Sequence, residues 1–265
     1  MPKPSTKNRY EQVIQKIFFD HYRTNKRRVK FSREEIISAA DSLGLDPIKN
    51  PGDAVYSYRY RNKLPASILA TQPEGFEWII EGVGTAKYVF RLARICRVVP
   101  NENLLTIKLP DATPEIIASY ALTDEQALLA KVRYNRLIDI FLGVTTYSLQ
   151  SHLRTTVKEI GQIEIDEVYV GIDGKGRQFV IPVQAKGGSD KLSPVQALQD
   201  IACCAAKFPG LICRAISAQF MTDGHIAVFE LVEQKGEIRI ASEKHYQLVP
   251  ADQISDEDLK RYQSI

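Results

Sequence analysis

The sequence has 265 residues, with 35 Lys and Arg against 32 Asp and Glu and a hydrophobic content of 44%, so the net charge is +3. A chain of this length can bury one large core or two medium ones, and the composition excludes collagen-like, disordered and disulfide-scaffold classes. The four cysteines, Cys96, Cys203, Cys204 and Cys213, form no C-x-x-C pairs and read as reduced thiols; the Met1–Ser5 start has no apolar signal core, and no run nears the roughly 20 apolar residues of a membrane span. The expectation is a soluble, cytoplasmic protein without a membrane partner.

The near-neutral total conceals an asymmetry. Residues 1–65 hold 14 Lys and Arg against 7 Asp and Glu, whereas residues 66–265 hold 21 against 25. A basic N-terminal part on a mildly acidic remainder suits a polyanion-binding module joined to something else, and a solvated loop at Lys26-Arg27-Arg28 is the simpler alternative.

In chain order, Val13, Ile14, Ile17 and Phe18 mark an amphipathic helix over Tyr10 to Tyr22. Ser32-Arg33-Glu34-Glu35 has the form of a capping box and opens a second helix, which stops at Gly44. After Asn50-Pro51-Gly52-Asp53, the segment Ala54 to Asn62 interleaves Tyr56, Tyr58, Arg59 and Arg61. The runs from Glu77 and Lys87, separated by Gly82-Val83-Gly84-Thr85, predict a hairpin. Three helices followed by a hairpin resemble a winged helix, a DNA-reading or protein-binding module. On that resemblance Arg59, Arg61, Tyr56 and Tyr58 are candidate DNA contacts, and Lys26, Arg27 and Arg28 candidate phosphate contacts.

Pro100, Pro110 and Pro114 interrupt the next stretch, so a boundary is expected near residue 115, giving a recognition domain over 1–115 and a second domain over 116–265. Thr123-Asp124-Glu125-Gln126 reads as another capping box, with a helix from Gln126 to Leu142 and a further helix over Thr146 to Val157. Past Gly161 the period changes to two. Residues 162–170 predict a strand with Gln162, Glu164 and Asp166 on one face; Asp173-Gly174-Lys175-Gly176 turns the chain into a second strand, Phe179 to Lys186, whose polar end emerges at Gln184. A helix over Pro194 to Lys207, with Cys203 and Cys204 in its core face, strands over Leu211–Met221 and His225–Leu231, a short strand at Glu237–Ile240 and a solvated final helix complete the chain.

Two carboxylates on one strand, opposite a lysine at the end of its neighbour, must pair or hold a metal in so apolar a setting. An oxygen-rich cluster suits a hard cation such as Mg²⁺, which would bind a phosphate oxygen and activate a water. A structural ion pair between Asp166 and Lys186 is the alternative.

Asp166, the strand-turn-strand spacer, and Gln184-Ala185-Lys186 followed by a helix resemble the PD-(D/E)XK nuclease superfamily in its restriction-endonuclease form. The resemblance covers about residues 145–215. It implies a mixed α/β (α+β) domain with a central sheet flanked by helices, Mg²⁺ as cofactor and cleavage of double-stranded DNA. By position Asp166 matches the metal-binding aspartate, Gln184 the usually acidic position and Lys186 the lysine; Gln196 and Gln199 match glutamines that some branches carry. Gln184 departs from the pattern, because an amide lends a metal only a carbonyl oxygen. Glu164 could restore the second carboxylate, with Glu159 a further candidate, and His152 could point at the site or make a structural hydrogen bond. The loop Gly187-Gly188-Ser189-Asp190-Lys191 could meet a phosphate or merely turn the chain.

The catalytic set expected is therefore Asp166, Gln184, Lys186 and Glu164, with Asp166, Glu164 and Gln184 holding Mg²⁺, in a sequence-specific type II restriction endonuclease. Cutting both strands implies a homodimer. The rivals are a regulator that has lost catalysis, and a repair or junction nuclease that reads DNA structure.

Overall fold

The computed structural model describes residues 6–60, 62–120, 125–158, 160–187, 191–221 and 223–263. The chain divides into one unit of Met1–Ile95 with Thr156–Gln162, and another of Cys96–Thr155 with Ile163–Ile265. The first unit thus ends at Ile95, and the stretch expected to link the domains, from Cys96 to about residue 115, groups with the second. The segment between them belongs to the second unit because a strand at Thr106–Pro110 pairs with one near the C-terminus.

The first unit contains α1 (Thr6–His21), β1 (Arg28–Ser32), α2 (Arg33–Ser42), α3 (Pro51–Tyr60), α4 (Ala66–Leu69), β2 (Phe76–Gly82) and β3 (Lys87–Arg94). The Ser32 hydroxyl accepts the Glu35 backbone N–H, and the Glu35 carboxylate accepts that of Ser32, so the predicted capping box is formed. Gly44, just past the end of α2, has φ +63°, a conformation that glycine adopts without strain. The predicted hairpin is β2–β3, and β1 adds to it in the order β1-β3-β2. Arg28 therefore begins a strand opposite Arg91 and is not part of a loop. Val13, Ile14, Ile17 and Phe18 of α1 meet Ile36, Val55, Trp78 and Phe90 in one core.

The second unit opens with β4 (Thr106–Pro110), α5 (Glu115–Tyr120), α6 (Glu125–Tyr134) and α7 (Leu137–Leu142). One helix from Gln126 to Leu142 is thus two. Asn135 is buried with its side chain accepting the Ala112 N–H and donating to Thr113, and Arg136 turns left-handed at φ +50°. The segment read as a helix over Thr146–Val157 is β5 (Thr145–Val157), where four threonines, Tyr147 and Val157 favour a pleated surface.

Strands β6 (Gly161–Ile172) and β7 (Gln178–Lys186) are the antiparallel pair expected. Helix α8 (Pro194–Lys207) follows, then β8 (Ile212–Cys213), β9 (Ala215–Phe220), β10 (Ile226–Gln234) and β11 (Glu237–Val249), which continues well past Ile240. A 3-10 turn at Ala251–Gln253 and α9 (Asp256–Tyr262) end the described chain. The mixed eight-stranded sheet has the order β4-β11-β10-β9-β7-β6-β5, with β8 on β7. The crossover through α8 lays β9 parallel to β7, whereas β6–β7, β9–β10 and β10–β11 are antiparallel.

The alternation along β7 decides which helix covers which face. Phe179, Ile181, Val183 and Ala185 pack with Leu128, Val132, Ile138 and Phe141 of α6 and α7. Ala197 of α8 packs in a separate cluster with Ala227, Phe229 and Ile238. The sheet is therefore covered on both faces, and polar groups at the end of β7 are drawn into a nearly closed environment.

Candidate functional site

The polar end of β6 and β7 brings Asp166 to the Gln184-Ala185-Lys186 segment. The Ala185 backbone N–H donates to Asp166 Oδ2 at 2.9 Å. Burial pushes the Asp166 carboxyl up, against the lowering influence of that hydrogen bond and of the Lys186 and His152 charges. His152 therefore acts on Asp166 electrostatically, from a left-handed backbone position in β5 at φ +49°.

Gln184 does not emerge from the core as the composition of β7 suggests; it is 1% exposed. Its Nε2 donates to the Glu164 carbonyl at 3.1 Å and to Asp200 Oδ2 at 3.0 Å. Both amide hydrogens are thereby used, which leaves the carbonyl oxygen as the group Gln184 can offer a cation. The Lys186 ammonium pairs with Glu125 Oε1 at 3.4 Å, so its ion-pair partner is on α6, not Asp166 as the structural alternative had it. The Glu164 carboxylate is exposed and accepts from Arg154 Nε and Nη2 at 3.0 and 2.9 Å. Glu159, Gly188, Ser189 and Asp190 lie outside the described residues.

Asp200 is the residue that sequence reasoning missed. It lies on α8, is 3% exposed, and burial pushes its carboxyl far up, with Asp166 acting in the same direction. Its Oδ1 is buried without a hydrogen-bond partner among the described residues. The available signal was helical spacing: Ala197, Asp200 and Cys204 recur at i, i+3 and i+7 on the buried stripe of α8. Gln196 is committed to the cap of α8, where its Oε1 accepts the Ser193 N–H, and Gln199 is buried beside Asp200.

Among the described residues no group of three or more His, Cys, Asp and Glu is arranged to hold a metal. The donors at hand are Asp166, the Gln184 carbonyl oxygen, the orphaned Asp200 and Glu164. Burial raises the proton affinities of Asp166 and Asp200, and Asp166 adds to that of Asp200. Oxygen donors of this kind are those that a hard divalent cation takes.

In the first unit the sequence candidates separate by exposure. Tyr58 is 9% exposed within the core, and burial pushes its phenol up to about 12, so it is a packing residue and not a DNA contact. Tyr56 is 46% exposed, and its ring lies 4.9 Å from that of Tyr60. The Arg59 guanidinium lies over the Tyr60 ring at 5.0 Å with its Nε and Nη2 buried. Lys26 and Arg27 are exposed; Lys26 Nζ donates to the His21 carbonyl, and the Arg27 guanidinium lies 4.6 Å from the Phe76 ring centre. Arg28 is exposed at the start of β1, and Arg61 lies outside the described residues.

Comparison with known proteins finds no matching family model, curated protein or solved structure. The residues and their geometry therefore carry any reading of its activity. No helix among those described is long and apolar enough to cross a membrane.

Proposed function

We propose that the chain is a Mg²⁺-dependent endonuclease of the PD-(D/E)XK type that hydrolyses phosphodiester bonds of double-stranded DNA. The observation that carries the reading is the Ala185 N–H donating to Asp166, which joins the aspartate of β6 to the Gln184-Ala185-Lys186 segment of β7. The antiparallel β6–β7 pair, the α8 crossover and the parallel β9 support it as the strand arrangement the resemblance implies.

In this reading Asp166 and the Gln184 carbonyl would hold Mg²⁺, and Glu164, now paired with Arg154, would be a further ligand. Bound there, the cation would lower the pKa of a water and offset charge on the scissile phosphate. Lys186 supplies a positive charge beside the attacked phosphate, and Asp200 orients Gln184 by taking an amide hydrogen. The first unit, with helices followed by the β2–β3 hairpin, acts as a winged-helix-like reader through Arg59, Arg61 and Tyr56, while Lys26, Arg27 and Arg28 meet phosphates. The enzyme is a sequence-specific type II restriction endonuclease working as a homodimer in the cytoplasm.

A second reading, a DNA-binding regulator without catalysis, is favoured by the neutral Gln184, whose amide hydrogens are committed to the Glu164 carbonyl and to Asp200. The test is incubation with plasmid DNA and Mg²⁺, with EDTA and with Asp166→Ala and Lys186→Ala as controls. Discrete fragments that need Mg²⁺ and vanish in both variants support the endonuclease. Salt-sensitive retention of duplex without cleavage supports the regulator, and cleavage confined to branched DNA assigns a repair or junction nuclease.

A further inference from the structure

The first unit bears a half-open cavity of about 510 Å³, within the roughly 300–1,000 Å³ of small-molecule sites, at the end of α1 and the start of β2. Its walls combine three aromatic rings with two cations and amide groups, including Tyr22, Phe76, Trp78, Lys26, Arg27 and Gln72. The rings are held in place. Tyr22 stacks on Phe18 at 4.9 Å and meets Trp78 edge-on at 6.0 Å. The Trp78 indole N–H donates to Thr71 Oγ1, and its backbone N–H donates to Gln72 Oε1, both at 2.9 Å. With its oxygen committed, Gln72 retains its amide nitrogen as a donor. At the mouth, the Arg27 guanidinium is held over Phe76 at 4.6 Å, and Asn25 turns the chain left-handed at φ +70°.

Fixed aromatic faces, an amide donor and adjacent basic groups are the complement of a planar heterocycle that carries a phosphate. We propose that this cavity binds one nucleotide, with its base against Tyr22 and Phe76 above the buried Trp78, a base carbonyl accepting from Gln72, and its phosphate at Arg27 and Lys26. The nucleotide is either a free mononucleotide or one unstacked from a nucleic-acid strand. The proposal goes beyond cleavage and does not depend on it.

Trp78 is the single tryptophan of the sequence, so its fluorescence reports on the cavity directly. The full chain is titrated without Mg²⁺ with the four deoxynucleoside monophosphates, with a short duplex carrying one unpaired nucleotide, and with the fully paired duplex. A saturable change on adding a monophosphate identifies the free nucleotide; a change given only by the duplex with the unpaired position identifies the strand nucleotide. Either is expected to weaken about tenfold in Gln72→Glu, which keeps the acceptor of the Trp78 N–H and removes the amide donor, and in Arg27→Ala, which removes the phosphate-facing cation. No Trp78 change with any probe, or a change that both variants leave untouched, overturns the proposal. The assay reads no cleavage, so its failure leaves the nuclease reading standing, and a blank plasmid assay leaves the cavity standing.

Discussion

Gln184 on β7 donates an amide hydrogen to the carboxylate of Asp200 on α8 at 3.0 Å, and its other amide hydrogen goes to the Glu164 carbonyl. A strand residue that breaks the expected acidic pattern is thus held by an acid from the helix that crosses the same sheet. Carboxylate and amide have exchanged places within one buried contact, and the orphaned Oδ1 of Asp200 remains beside it.

Gln184→Glu restores the acidic pattern and is nevertheless expected to destabilise the protein. A glutamate there turns the donor in the contact into an acceptor facing Asp200 and the Glu164 carbonyl, at a cost of about 1–3 kcal/mol or more for buried unsatisfied groups. Mg²⁺ in the millimolar range is expected to restore part of the loss, since a ligand that binds only the folded state stabilises it. Urea unfolding with and without Mg²⁺ reads this out; a variant as stable as the parent in EDTA would sink it.

The pH dependence of stability is set in part by Asp200. Its folded pKa is raised, so its contribution is complete below the unfolded value of about 3.9 and is lost as pH rises through the folded pKa. Burial is the main cause; Gln184, Asp166, Cys213 and Lys186 act on it as well, and Asp166, itself raised by burial, contributes with the same sign. Asp200→Asn cannot ionise and is expected to flatten the decline in unfolding midpoint as pH rises above about 4, leaving the share due to Asp166. Parallel profiles for parent and variant would refute the assignment.

On the other side of β6, Glu167 is 0% exposed and is held by Arg133 at 2.8 Å and by the Ser148 hydroxyl at 2.6 Å, while the Arg133 side chain is 42% exposed. The pair should therefore break asymmetrically. Arg133→Ala strands a buried carboxylate, for about 3–5 kcal/mol, whereas Glu167→Ala leaves a guanidinium that water can reach, for about 1–3 kcal/mol. Unfolding of both variants followed by circular dichroism decides it; equal losses would contradict the burial difference.

Gly82 ends β2 where the Ile160 carbonyl comes against its Cα, and a Cβ there would collide with that backbone oxygen. Gly82→Ala is expected to lower the stability of the first unit by about 1–3 kcal/mol, as overpacking does. Trp78 fluorescence during unfolding measures it, and an unchanged midpoint would show that the 156–162 segment yields.

Local patterns are legible where the physics is local. The Ser32 capping box, the Gly44 stop, the β2–β3 hairpin, the β6–β7 pair and α8 over Pro194–Lys207 each arise within one short continuous stretch of chain. The strand at Thr145–Val157 is not legible as one, because its polar alternation has no strong period and its conformation is set by pairing with β6. The break at Asn135 is hidden because it depends on hydrogen bonds to Ala112 and Thr113, more than twenty residues away.

The sequence by itself determined that Asp166 and the Gln184-Ala185-Lys186 segment would lie on adjacent antiparallel strands, because a tight turn joins two period-two runs. Only the tertiary structure decided what each group there touches: Gln184 held by Asp200, Lys186 by Glu125, and Tyr58 drawn into the core. The choices at Gln184 and Lys186 arise where α6 and α8 close over the two faces of the sheet. A buried polar group must take whichever partner the opposing element supplies, and spacing along one strand carries no record of it.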